Sequence, residues 1–156
     1  MNESRKMAPV LMAEDDADDR MLVEKAFLEN RVANPLVTVA NGAELLDYLY
    51  KKGKYFEAVH PCFIILDLNM PKMDGREALK IIKDDEKLRK IPVVIMTTSK
   101  AEEDVLVSYA VGANSYITKP MTFEGLVKMI KTLKDYWLEI VELPVCPGDY
   151  SHSWRE

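Results

Sequence analysis

Cysteine is scarce in this chain: among 156 residues only Cys62 and Cys146 carry a thiol. Two thiols build neither a disulfide framework nor a four-cysteine zinc site. His60 lies near Cys62 and His152 near Cys146, which raises a shared metal site as a reading. Neither pair has the close, repeated spacing of structural zinc ligands, and the plainer reading is a buried thiol at a strand start and a second thiol in a tail. Long apolar runs are also missing. None approaches the roughly 20 residues that span a bilayer, and the opening MNESRKMAP holds no apolar segment of signal-peptide type. Basic clusters are lacking too: the densest is KKGK at 51–54, and the net charge is −5, so a nucleic-acid partner is not expected. What remains is a cytoplasmic, non-membrane chain, long enough for one domain with a real core.

Five short apolar runs are present instead, spaced by about 25 to 30 residues: APVLMA (8–13), LVTVA (36–40), CFIILDL (62–68), IPVVIMT (91–97) and NSYIT (114–118). Each is continuously apolar or β-branched, as strands buried on both faces should be. The segments between them have helical spacing, at 16–30, 42–52, 74–83, 101–112 and 123 to about 141. Asp16 and Asp74 are placed to cap helices, Pro35 breaks the chain before the second strand, and Gly112 stands where the fourth helix should end. Strand and helix alternating five times predicts an α/β domain on a parallel sheet. Residues 1–143 are read as one domain and 144–156, with two prolines and a glycine, as an irregular tail.

In an open parallel sheet, ligands gather beyond the carboxyl ends of the strands. Glu14 and Asp15 follow the first strand, Asp67 the third, Thr97 ends the fourth, and Lys119-Pro120 follow the fifth. Carboxylates brought together without cations repel. A hard divalent ion such as magnesium relieves this with few protein ligands, with manganese as the alternative metal. A carboxylate beside such an ion can attack phosphorus and form an aspartyl phosphate, with the Thr97 hydroxyl and the Lys119 ammonium as partners of the phosphoryl oxygens. Asp16, Asp18 and Asp19 are read as the start of the first helix, where the helix dipole favours acids.

These residues also carry a resemblance. LDLNMPKMDG (66–75), EDD after the first strand, MTTS after the fourth and YITKP at the fifth resemble the motifs of two-component receiver domains. The intervals agree: 30 positions from Asp67 to Thr97 and 22 from Thr97 to Lys119. The resemblance covers about 9–141. It implies a flavodoxin-like fold with five parallel strands in the order 2-1-3-4-5, and Asp67 as phosphoacceptor. It makes Asp15 a direct metal ligand, Glu14 a ligand through water, and the Asn69 backbone carbonyl a further one. Thr97 and Tyr116 become switch residues, and the Lys119-Pro120 bond becomes cis. Pro71 and Gly75 shape the loop after Asp67, whereas Thr98 and Ser99 receive no definite role. IPVVIMTTSKAEEDVLVSYAVGANSYITKP and YWLEIVELP resemble, more narrowly, the stand-alone response regulators of phytochrome-type histidine kinases. That implies a sensor histidine kinase as partner and a homodimer through the fourth helix, fifth strand, fifth helix and C-terminal segment.

Other functions stay in view. A magnesium-dependent phosphatase with an aspartyl-phosphate intermediate would need an acid two residues after its nucleophile, where this chain has Asn69. A phosphorylation-independent adaptor would not need the intact set of Glu14, Asp15, Asp67, Thr97 and Lys119. A calcium loop over DDADD lacks the turn glycine and closing glutamate. The last helix, placed at 100° per residue, puts Phe123, Leu126, Ile130, Leu133, Trp137, Ile140 and Val141 on one face. Its flanks carry Met129, Tyr136 and Leu143 on one side and Val127 and Leu138 on the other. The resulting arc, roughly 200°, exceeds what one core requires. Pro144, Val145, Tyr150 and Trp154 of the tail are candidates to cover the excess in the same chain or in a second copy.

Overall fold

The computed structural model describes residues 8–99 and 101–143. Five strands alternate with five α-helices: β1 Val10–Ala13, α1 Ala17–Glu29, β2 Leu36–Val39, α2 Gly42–Leu49, β3 Phe63–Leu66, α3 Gly75–Asp84, β4 Val93–Thr97, α4 Glu102–Val111, β5 Ser115–Thr118 and α5 Phe123–Leu133. The strands form one sheet in the order β2-β1-β3-β4-β5, every pair parallel. The architecture and strand order are those expected from the sequence.

Side chains that alternate along each strand divide the interior into two cores. Leu11, Ala13, Ile64, Leu66, Val93 and Ile95 face Leu45, Leu49, Ala78, Leu79 and Ile82 of α2 and α3. Val10, Met12, Phe63, Ile65, Val94 and Met96 face Val23, Ala26 and Phe27 of α1 and Leu126, Ile130 and Leu133 of α5. The three central strands are therefore buried on both faces, which accounts for their unbroken apolar runs. Cys62 is buried directly before β3 and donates to the Pro9 carbonyl at 3.3 Å. Cys146 and the other tail residues lie outside the described residues.

Helix boundaries follow side-chain chemistry. Asp16 caps α1 by accepting from the Asp18 and Asp19 amides, and Asp74 caps α3 by accepting from Arg76 N–H. Gly112 closes α4 at φ +127°, where a side chain would be strained. The second helix stops three residues short of its expected end, because Lys51 takes a left-handed φ of 56° and turns the chain away. The expected helix from 123 to about 141 is not uniform: α5 ends at Leu133 and Lys134–Ile140 continue as a π-helix. With i→i+5 bonds each residue advances by less than the α-helical 100°. Leu138 consequently turns into the core, while Ile140, expected on the buried face, is 70 % exposed. Trp137 stacks on Phe63 with ring centroids 5.9 Å apart.

Candidate functional site

Everything chemically distinctive gathers at the carboxyl ends of β1, β3, β4 and β5. Glu14 leaves β1 with its N–H on the Val39 carbonyl, 3.0 Å away, so its side chain is held in the sheet's upper edge and is almost wholly buried. Asp15, next along, is exposed. Asp67 follows β3, donates its N–H to the Ala13 carbonyl at 3.1 Å, and is buried. Carboxylate oxygens of Glu14, Asp15 and Asp67 lie within 4.8 Å of one another. Among the described residues this trio is a ready-made set of hard oxygen donors, and such a set fits a divalent cation. Cys62 and His60 do not join a ligand cluster among the described residues.

One ammonium answers two acids of this trio and a third, Asp19. Lys119 Nζ bonds to Glu14 Oε1, to Asp19 Oδ2 at 3.1 Å and to Asp67 Oδ2 at 3.2 Å. Its backbone N–H is tied to the Thr97 carbonyl at 2.8 Å, so the residue continues the β4–β5 pairing and its side chain crosses the end of β4. The resemblance implied a cis Lys119-Pro120 bond; no cis bond occurs among the described residues, and this one is trans. The register set by the Thr97 carbonyl suffices to send the side chain into the site. Burial pushes the Glu14 carboxyl up to about 7, aided by the Asp67 charge and opposed by the Lys119 bond. Burial opposes charge on Lys119 as well, but Glu14 and Asp67 outweigh it and hold the ammonium above the usual lysine range.

The surrounding loops are pinned. Arg20 donates to the Glu14 and Asp15 carbonyls at 2.7 and 3.1 Å. Gly75 lets α3 begin directly against the loop that follows Asp67: a Cβ there would stand 2.1 Å from the Asp67 carbonyl oxygen, and its N–H bonds Leu68 O at 2.9 Å. Asn69 is exposed, with its N–H 3.3 Å from Asp67 Oδ1. Thr97 is fully buried at the end of β4. Tyr116 is half-buried, packs against the core beneath α4 and donates its hydroxyl to the Ser99 carbonyl at 3.1 Å.

The site also contains residues that sequence reasoning did not place there. Asp19, read as a helix-starting acid, also pairs with Lys119, 100 positions away with no local pattern to join them. Ser99, without a definite role in the sequence, donates to Asp104 Oδ2 at 2.6 Å, and Arg76 forks onto both oxygens of Asp104 at 2.9 and 2.8 Å. Arg76 and Asp104 are 28 positions apart with no local pattern to join them.

The family model for the response regulator receiver domain matches residues 10–131. "Response regulator Rcp1" of Synechocystis sp. is 38 % identical over 143 residues, covering 92 % of this chain and 97 % of that protein. Among solved structures, the phosphorylated cyanobacterial phytochrome response regulator RcpA is 39 % identical with a TM-score of 0.85, over 89 % of this chain and 99 % of that one. The Mn(2+)-bound form of Rcp1 is 38 % identical with a TM-score of 0.82, over 88 % and 99 %.

Proposed function

The chain belongs to the response regulator receiver family, and from that premise we propose that Asp67 accepts a phosphoryl group from a sensor histidine kinase in the cytoplasm. The observation that carries this reading is the Lys119 ammonium on Asp67 Oδ2, within the cluster that Asp67 forms with Glu14 and Asp15. A lone acid at a strand end does no such chemistry; an acid with its own cation and two neighbouring oxygen ligands does.

Asp15 and Asp67 would hold magnesium directly, Glu14 would act through water, and the Asn69 carbonyl would complete the protein's share. The fit rests on the close oxygen donors and on the excess of carboxylates over the single ammonium. When bound, the cation supplies positive charge for the phosphoryl oxygens beside Asp67. An Asp67 oxygen attacks phosphorus; the bond from phosphorus to the donor's leaving group breaks, and that group departs with the electron pair. Lys119 pairs with a phosphoryl oxygen and Thr97 donates its hydroxyl to another. The chain is a phosphoacceptor that promotes its own phosphorylation and dephosphorylation, rather than an enzyme that turns over a substrate.

Thr97 and Tyr116 then carry the change to the α4-β5-α5 surface, where Leu106 and Tyr109 are exposed. Output is by protein contact or phosphorelay, and a homodimer uses this surface together with the C-terminal segment. The kinase is of phytochrome type, as the names of the similar proteins suggest. Residues 1–143 serve as the single receiver domain, with 144–156 as a tail. Among the described residues no helix is long and apolar enough to cross a membrane.

Incubation with acetyl phosphate and magnesium tests the central claim. Mass spectrometry should find one added, base-labile phosphoryl group on the chain and none on Asp67→Asn; an unchanged mass for the parent chain would exclude the reading. Turnover of varied phosphomonoesters would favour the phosphatase alternative. Light scattering with and without the phosphoryl group tests the dimer.

A further inference from the structure

Asp67 and Thr97 stand at the ends of neighbouring strands, and different segments follow them, 68–74 after Asp67 and 98–99 after Thr97. What joins these loops is an ion pair. Arg76 is the second residue of α3, directly after Gly75, whose backbone lies against the Asp67 carbonyl. Its guanidinium spans to Asp104 in the first turn of α4 and grips both carboxylate oxygens, Nε on Oδ1 at 2.9 Å and Nη2 on Oδ2 at 2.8 Å. The same guanidinium reaches back to the α3 cap, with Nη1 on Asp74 Oδ2 at 3.0 Å. A planar fork on a carboxylate fixes direction as well as distance, which a lysine would not do.

Asp104 passes the constraint on to Ser99. It accepts the Ser99 hydroxyl at 2.6 Å, while the Ser99 carbonyl accepts from Tyr116 and its N–H stands 3.5 Å from Thr97 Oγ1. All three polar groups of Ser99 are thereby directed, each toward a different element. The Asp104 carboxyl is held near 2 by its bonds from Arg76 and Ser99, so the arrangement is charged throughout the neutral range. From Asp67 the contacts run through Gly75 and Arg76 to Asp104, then through Ser99 to Thr97, linking the ends of β3 and β4 around the mouth of the site. The α4 cap position, Ala101, offers no side-chain cap bond, so α4 begins without that local anchor and depends more on this tether.

We propose that Arg76 and Asp104 are positioning residues for phosphoryl transfer: their ion pair ties the Asp67 loop to the Thr97 loop and, through Ser99, holds the hydroxyls of Thr97 and Tyr116 in place. The proposal rests on the reading of Asp67 as phosphoacceptor. The step it serves is the transfer from acetyl phosphate, in which the bond from phosphorus to the acetyl oxygen breaks, a bond to Asp67 forms, and acetate leaves.

The test is a kinetic double-mutant cycle with acetyl phosphate and magnesium. Arg76→Gln and Asp104→Asn should each slow phosphorylation of Asp67 by about fivefold, and together by no more than either alone, because they remove one interaction. In a Thr97→Ala background the same substitutions should change the rate by less than about twofold, since the group they position is gone. A second readout needs no phosphodonor: with 3-fluorotyrosine at position 116, Arg76→Gln should shift its fluorine resonance, whereas Lys128→Gln, on an exposed face of α5, should not. Equal slowing in both backgrounds, additive slowing, or an unmoved resonance would overturn the positioning role while leaving the phosphoacceptor reading intact. No phosphorylation of the parent chain would overturn both.

Discussion

Lys119 reaches Asp67 Oδ2 at 3.2 Å from the loop after the edge strand, passing over the end of β4 to touch the residue that follows β3. The same ammonium serves Glu14 at the end of β1. One side chain thus answers charges from two strands that are not its neighbours. Lys119→Met keeps the stem and removes the charge, leaving Glu14 buried without its cation. Urea denaturation at pH 7.5 in chelator should show a loss of about 2–4 kcal/mol, and acetyl phosphate should label the variant poorly. Undiminished stability would mean that water already satisfies the acids.

The opposite charge change should act in the opposite direction. Three carboxylates share one ammonium, so Asp67→Asn removes repulsion. In chelator it should stabilise the fold by about 1 kcal/mol. Magnesium, binding the native cluster, should raise the melting temperature of the parent chain and do much less for the variant. An equal rise in both proteins would show that the ion binds elsewhere.

Gly75 gives the backbone a test independent of charge. A methyl group there meets the Asp67 carbonyl oxygen at 2.1 Å and Leu68 Cα at 2.8 Å, and both belong to the main chain. Neither can rotate away, so Gly75→Ala must displace α3 or the loop bearing Asp67. A loss of about 2 kcal/mol or more is expected, together with slowed phosphorylation. A variant with parental stability and rate would show that the loop yields freely.

His60 supplies a pH dependence away from the site. Burial, aided by the Lys51 charge, lowers its imidazole from about 6.5 to about 4. Between those values the unfolded chain binds the proton and the folded chain does not, so stability falls as pH drops from 6.5 toward 4. Chemical denaturation across that window should show a shallower pH slope for His60→Gln than for the parent chain. Parallel slopes would assign the acid sensitivity to other groups.

The main lines of this molecule are legible in the sequence because they rest on patterns close along the chain. Unbroken apolar runs marked the strands, Asp16, Asp74 and Gly112 marked helix ends, and the placement of Glu14, Asp15, Asp67, Thr97 and Lys119 at strand ends marked the site. What escaped depends on distance or on helix pitch. Nothing local signals that Arg76 will meet Asp104, or that Ser99 will be held by both α4 and β5. Asp19 looked like a helix-starting acid because that role alone explains an acid in a first turn. The change of pitch at Lys134 could not be read from apolar spacing, since an arc of about 200° is compatible with either winding.

The π-helical turns at Lys134–Ile140 give this fold a way to steer its own exit. If the same seven residues wound at the ordinary α repeat, everything beyond them would rotate by roughly a quarter to a third of a revolution. Leu138 would leave the core and the chain at Leu143 would depart toward a different side of the sheet. The azimuth at which the chain leaves Leu143 is therefore encoded in the winding of a helix, where a change of pitch acts as a rotation instead of a change in reach.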